Sequence, residues 1–389
     1  MDKTCLATRL AAARDELLKY RMSSHFPRIA VVKQDVNEDL YCCPRNSTPR
    51  EIVESTLLRS GPVCLFSEWN ADFLILATAD DPECSIWKER ATHLKWDTPE
   101  FFSSYRDRIP GRDFGQNVYS VDPASVDWNA YDIVISFDVA VPERITRAYP
   151  GTAWCYYVRE IKAPAYAASL KALAPGQDFV LNHRFRMRPE RQLPHVVEFP
   201  YHLQSPGCFH RLFAFPMPDD RDRKGVFVDH HTMLGLSNDV RRELTQFGGV
   251  SSTAPTDGKM VPTSARLARR TMEPEIRSHL LEARYFLVTP GIRNVFGTAV
   301  VEAIAAGCLA VGSRRSVGCG EFFTDFTAAE TPEEAIIKMR RLQGDRRLYQ
   351  NQLNWQRLLV EYLCYARPVA ELLDRAAKRR TSVAPKLAR

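Results

Sequence analysis

Glu302 stands where a carboxylate is costly. Val300 and Val301 precede it and Ala303, Ile304, Ala305 and Ala306 follow it, so it interrupts an apolar helical pattern. An unpaired buried charge is expensive, and such a group needs a partner or a ligand. The residues just before it are suited to binding: Arg293, Asn294, Phe296, Gly297 and Thr298. Arginine grips phosphate oxygens with two parallel hydrogen bonds, an amide side chain both donates and accepts, and glycine lets the backbone come close to a ligand. Arg314 and Arg315 follow the short apolar run 309–311, and His230 and His231 follow the run 225–229 (GVFVD). In the first half of the chain, Asp138 follows 132–137 (DIVISF), Arg159 and Glu160 follow 154–158 (WCYYV), and Asp35 follows 29–32. An acidic group just past a buried strand can act as a general base toward a hydroxyl, and Asp138 and Glu160 are the catalytic candidates.

These groups need strands that end beside them. Residues 285–288 suit a buried strand, which Thr289, Pro290 and Gly291 break. Gly297 opens a helical pattern with Val300, Val301, Ile304 and Ala305 on one side, and Gly307 ends it as a C′ glycine. Residues 309–311 form a second strand, with Gly312 after it. Strand, loop, helix and strand in that order make one βαβ unit of a parallel sheet. Upstream, 29–32, 63–66, 132–137 and 154–158 read as strands, and 73–77 as a strand or a buried helix. Apolar runs alternating with helical stretches point to α/β. Leu6, Leu10, Ala13 and Leu17 give an amphipathic helix over 5–20, expected to dock on the first domain. Prolines crowd 186–224 and suggest a linker. A second domain then starts at 225–229, with a helix near 239–247 and another at 333–342. Pro368 is expected to kink or split the helical stretch 345–377.

The segment 287–321 resembles the donor-binding half of GT-B glycosyltransferases. Retaining members commonly carry Glu, seven residues, then Glu, in a context like E-x-F-G-x-x-x-x-E-A. Phe296, Gly297, Glu302 and Ala303 sit on that pattern, Asn294 replaces the first Glu, and 318–321 looks like the family's glycine-rich loop with its Glu. The close match covers 287–321 and a looser one 285–375. The resemblance implies two Rossmann-like domains facing each other across a cleft. It places an acceptor domain at 1–200, a linker at 201–224, a nucleotide-sugar domain at 225–355, and a C-terminal helix crossing back, with a basic tail, at 356–389. It implies that Glu302 binds the ribose hydroxyls and that Asn294 meets the transferred sugar by uncharged hydrogen bonds. Gly297, Thr298 and Phe296 would line the donor loop. The family's Arg/Lys pair after the first strand of this domain is absent, so Arg293, Arg314 and His230 are the candidates for the diphosphate. The nucleotide-sugar is a substrate; no metal or other cofactor is implied.

Forty-five per cent apolar and 26% charged residues fit a globular enzyme, and 389 residues favour two domains. The formal net charge of +6 is mild and is compatible with a solvated basic surface, an anionic acceptor, a membrane surface or nucleic acid. Ten cysteines without a C-x-x-C pair suggest reduced thiols rather than a zinc ribbon. The pair Asp220 and Asp222 lies in a charged, proline-rich stretch with no strand before it, so a metal site of the GT-A kind is not expected. No secretory core and no apolar run of roughly 18–20 residues is seen, which makes a cytoplasmic protein the expectation, with peripheral contact at the inner membrane face as an added option. The expected partners are a nucleotide-sugar donor and a glycan or other hydroxyl acceptor, with a surface polysaccharide or lipopolysaccharide as the default. A modified DNA base, with nucleic acid as partner, is the less favoured acceptor. A non-catalytic nucleotide- or sugar-binding protein of the same fold is the alternative from another class.

Overall fold

A parallel strand covered on both faces reads as an unbroken apolar run. Ile133–Ser136 (IVIS), Val226–Val228 (VFV), Tyr285–Val288 (YFLV) and Leu309–Gly312 (LAVG) are buried at every residue. The computed structural model describes residues 3–33, 48–54, 69, 71–76, 118–121, 126–136, 141–158, 175–182, 195–198, 209–216, 222–228, 233, 235–252, 279–288, 298–315 and 320–387. The chain is α/β and divides into two compact units, each with its own parallel sheet. One holds Ala11–Pro44, Ser60–Leu203 and Ala366–Arg389; the other holds Met1–Leu10, Arg45–Arg59 and Gln204–Tyr365.

The first of these units follows most of α1 (Lys3–Met22) with β1 (Ile29–Lys33), β2 (Asp72–Leu76), β3 (Val118–Val121), β4 (Ile133–Ser136), α2 (Glu143–Ala148), β5 (Ala153–Val158), β6 (Phe179–Asn182) and β7 (Val196–Glu198). Its strands are parallel in the order β3-β2-β1-β4-β5-β6-β7. The order reverses between β1 and β4, where Val31 lies opposite Ile135. Trp128 and Trp154, with ring centroids 5.5 Å apart, anchor its core beside Val32, Val134 and Ile145. The expected strand at 63–66 falls outside the described residues. β3, β6 and β7 have no counterpart among the expected strands. β7 lies inside the proline-rich stretch read as linker; three residues are too few to announce a strand, and Pro194 and Pro200 flank it rather than interrupt it.

In the other unit, β8 (Val226–Val228), α3 (Asn238–Thr245), β9 (Val250–Ser252), β10 (Tyr285–Val288), α4 (Thr298–Ala305), β11 (Leu309–Gly312), α5 (Pro332–Gly344) and α6 (Arg346–Glu361) follow in turn. The sheet runs β11-β10-β8-β9, again parallel. β9 too has no counterpart among the expected strands. Side chains alternate across the sheet. Val226, Val228, Tyr285, Leu287, Leu309 and Val311 join a core with Leu244 of α3, Met339 of α5 and Leu353 of α6. Phe227 and Phe286 stack at 6.1 Å. Three helices start on side-chain caps: Ser237, Thr331 and Asp345 accept from the N–H of Val240, Glu334 and Leu348. The edge strand β11 is closed by Gln356, whose side-chain amide accepts from Ala310 N–H (2.9 Å) and donates to Ala310 O (2.8 Å). Capping the edge this way removes a template for stray strand pairing.

Two expectations about helices are refined. Leu6, Leu10 and Leu17 of α1 are buried, so the apolar stripe docks on protein. The helix is shared, however: Met1–Leu10 groups with one unit and the rest with the other. The long C-terminal stretch is indeed divided. A π-helical turn, Tyr362–Ala366, separates α6 from α7 (Arg367–Leu387). Pro368 has no N–H to donate and its ring crowds the preceding turn, so the wider turn forms just before it. From there α7 belongs to the unit of β1–β7, running against the strands. Arg367 meets Glu198 at the end of β7 (3.6 Å), Arg379 pairs with Asp178 before β6 (2.6 Å), and Arg380 pairs with Asp132 before β4.

Gly312 marks a close approach. A Cβ there would stand 2.0 Å from Val288 O and 2.6 Å from its Cγ1. Gly312→Ala is therefore expected to destabilise this unit by about 1–3 kcal/mol or more, read as a lower urea midpoint at unchanged slope.

Candidate functional site at the C-terminal edge of the second sheet

β8 ends at Val228 and β10 at Val288, and Leu287 sits opposite Val228 in register. The chain passes from β8 to β9 on one side and returns to β10 on the other, so the strand order reverses between them. In open α/β sheets such a reversal leaves a crevice beyond the carboxyl ends of the strands, and ligands bind there. The two segments that leave these strand ends carry most of the expected donor residues. His230 follows Val228 by two positions. Arg293, Asn294, Phe296 and Gly297 lie between Val288 and α4. All five lie outside the described residues. Thr298 is the first residue of α4, with its backbone alone described.

Glu302 is the fifth residue of α4 and only 7% exposed. Val300, Val301, Ala303, Ile304 and Ala305 around it are all buried, as expected of a helix that is apolar on every side. The carboxylate lies just past the first turn of α4. Among the described residues it is the one expected site residue whose side chain lies in the interior.

The far end of α4 is fixed tightly, which sets where Glu302 stands. Cys308 N–H donates to Ala303 O (2.8 Å) and Gly307 N–H to Ile304 O (3.0 Å), with Gly307 at φ +96°. This is a Schellman ending built on the glycine at C′. Arg223 then ties the helix end to the strand bases. Its guanidinium donates to Ala306 O (2.5 Å), Ala283 O (2.8 Å) and Leu280 O (3.4 Å). Arg357 donates to Ala305 O (3.2 Å); burial, and then the charge of Arg223, push its pKa down to about 10. Burial raises the Cys308 thiol above its ordinary value, against the opposing pull of Arg223, so no thiolate nucleophile arises there. Neither buried arginine stands out in the sequence. Arg223 closes a charged string, DDRDR, that reads as a solvated loop.

Arg314 and Arg315 leave the end of β11, at the same edge. The Arg314 guanidinium donates to Phe323 O (2.9 Å) and pairs with Asp325 (2.7 Å), bracing the following turn while remaining half-exposed. Arg315 is exposed, and its N–H donates to the buried Ser313 Oγ (3.1 Å), which itself donates to Glu330 (2.9 Å). Glu321 is exposed, and its carbonyl accepts from Trp355 Nε1 (3.3 Å).

In the other sheet, Asp138 and Glu160 each come two positions after a strand, past Ser136 and Val158. Both lie outside the described residues, as do Asp35, Arg159, His231 and Asp220. Ser136 is fully buried and donates to Cys155 O (3.3 Å). Among the described residues, no group of three or more His, Cys, Asp or Glu side chains is placed to hold a metal ion. No helix there is long and apolar enough to cross a membrane.

No family model matches the chain, and no curated protein matches it. Among solved structures, it is similar to sucrose-phosphate synthase from Thermosynechococcus elongatus, at 11% identity and a TM-score of 0.42, over 92% of this chain and 100% of that one. It is similar to Anabaena HepE in complex with UDP, at 9% identity and a TM-score of 0.41, over 93% and 99%. It is also similar to T4 phage BGT in complex with UDP and Mn2+, at 12% identity and a TM-score of 0.36, over 91% and 98%.

Arg223→Met keeps the volume of the side chain and removes the donors to three carbonyls. It is expected to cost about 2–4 kcal/mol of stability, seen as a lower thermal midpoint.

Proposed function

We propose that the chain is a glycosyltransferase of the GT-B kind, taking a sugar from a nucleotide-sugar donor to a hydroxyl acceptor. The observation that carries this reading is Glu302. It is a nearly buried carboxylate near the N-terminus of the helix that follows β10, a strand beside the order reversal of a parallel sheet. A ribose diol offers two hydroxyl donors, and a carboxylate accepts both at once. The N–H groups at the start of α4 suit the diphosphate.

In this reading Glu302 holds the nucleoside, and Asn294 holds hydroxyls of the sugar. Gly297 allows the backbone to approach the phosphates. Arg293, Arg314 and His230 supply positive charge or hydrogen bonds as the leaving diphosphate develops charge, the stage at which preorganised donors contribute most. Asp138 and Glu160 are the candidates for the base that takes the acceptor proton. A surface glycan is the proposed acceptor class.

Thermal unfolding of the native chain and of Glu302→Gln with UDP, GDP, ADP, CMP and dTDP, and with their sugars, tests this. One base is expected to stabilise the native chain, by about 2.7 kcal/mol at a hundredfold excess over Kd. Glu302→Gln should unfold near the native temperature without ligand. It should bind that nucleotide about tenfold or more weakly, since each charged hydrogen bond contributes about 1.5–3 kcal/mol. A variant that loses several kcal/mol without ligand, yet keeps the nucleotide shift, makes Glu302 a structural carboxylate and removes the support for this function. Sugar transfer or donor hydrolysis by the purified chain excludes a purely binding role.

A further inference from the structure

Two arginines leave the end of β11, and only one of them is committed to the fold. The Arg314 guanidinium donates to Phe323 O (2.9 Å) and pairs with Asp325 (2.7 Å). Its stem lies against Gly320, where an added Cβ would stand 3.3 Å from Arg314 Cβ. Arg314 thus ties the residues that leave β11 to the turn at Gly320–Phe323. A ligand that gripped this guanidinium from the same side would have to displace both partners.

Arg315 is exposed, and among the described residues its guanidinium has no hydrogen bond or ion pair. Its backbone, by contrast, is fixed. Ser313 N–H donates to Val288 O (3.2 Å), and Ser313 Oγ accepts from Arg315 N–H (3.1 Å) and donates to Glu330 (2.9 Å). Ser313 is fully buried. Hydrogen bonds therefore lead from the last residue of β10 to the backbone of Arg315. A serine hydroxyl bonded to the backbone two residues on sets a turn. The chain that leaves β10 at Val288 leads to α4 and Glu302, so Arg315 is anchored beside the strand end from which the donor segment starts.

A held backbone that carries an uncommitted guanidinium suits a multiply charged oxyanion. The guanidinium has five donors in a rigid fork and no acceptor, and it takes two phosphate oxygens at once. A ribose diol offers hydroxyl donors and is matched by the carboxylate of Glu302 instead. We propose that Arg315 makes the direct two-point contact with the donor diphosphate, while Arg314 braces the turn beside it. This rests on the nucleotide-sugar reading above and names the residue at the end of β11 that grips the leaving group.

Titration calorimetry of the full chain, Arg315→Gln and Arg315→Lys tests it, with UDP, GDP, ADP, CDP and dTDP and with the matching nucleosides. For the base that the native chain accepts, Arg315→Gln is expected to bind the diphosphate about tenfold or more weakly and the nucleoside as the native chain does. Arg315→Lys restores the charge without the fork and should fall between the two. Both variants should unfold at the native temperature. Equal diphosphate affinity in the native chain and Arg315→Gln overturns this assignment alone. So does a diphosphate loss that comes with an equal nucleoside loss or a lower thermal midpoint, which marks damage to the fold rather than a missing phosphate contact. Failure of the native chain to bind any of these compounds overturns the donor reading, and this assignment with it.

Discussion

A parallel sheet cannot leave either face in water, and each strand must return to the same edge before the next begins. Both units obey this constraint. All strands within each sheet are parallel, so every strand ends at the same edge. Where the order reverses, at β1/β4 in one sheet and β8/β10 in the other, adjacent strand ends send the chain to opposite sides. Groups with chemistry collect at these ends because the backbone there is already leaving the packed layer. The strand bases, by contrast, hold the devices that fix geometry: Arg223 under β8 and α4, and Asp132 and Asp178 under β4 and β6.

The sequence conveys the unit at 285–312 well because each signal there is local. Four buried residues make β10, a C′ glycine with positive φ ends α4, and four buried residues make β11. Pro368 likewise announces the break before α7. β3, β6, β7 and β9 are not legible. VYSV, FVLN, VVE and VSS are short and partly polar, and pairing with neighbours far along the chain makes them strands. In the same way, Glu302 is conspicuous because a charge interrupts an apolar helix. The role of Arg314 is hidden because its partners, Phe323 and Asp325, reach it only through the turn after β11. Charged pairs across the fold also change the sense of composition. The basic end of the chain reads as a free tail, yet Arg379 and Arg380 are spent on aspartates at the strand bases.

The helix α4 shows how packing and chemistry share one element. Its C-terminal end is over-determined by a Schellman ending and two buried arginines. Its N-terminal end follows a loop that the resemblance assigns to the donor. A rigid rear suits the role proposed for Glu302, because a carboxylate accepts two hydroxyls only in a narrow geometry.

The interleaving of the two units has a consequence for how the chain is made. Met1–Leu10 groups with Gln204–Tyr365, and Ala366–Arg389 groups with Ala11–Pro44 and Ser60–Leu203. During synthesis the opening turns of α1 must therefore wait for partners two hundred residues away. The seven-stranded sheet must wait even longer for the helix that covers it. Neither unit can finish as the ribosome passes it, and neither can be cut out as one continuous fragment. The late arrival of α7 completes the seven-stranded unit, so loss of the last two dozen residues would leave a nascent sheet uncovered rather than simply shorten the protein.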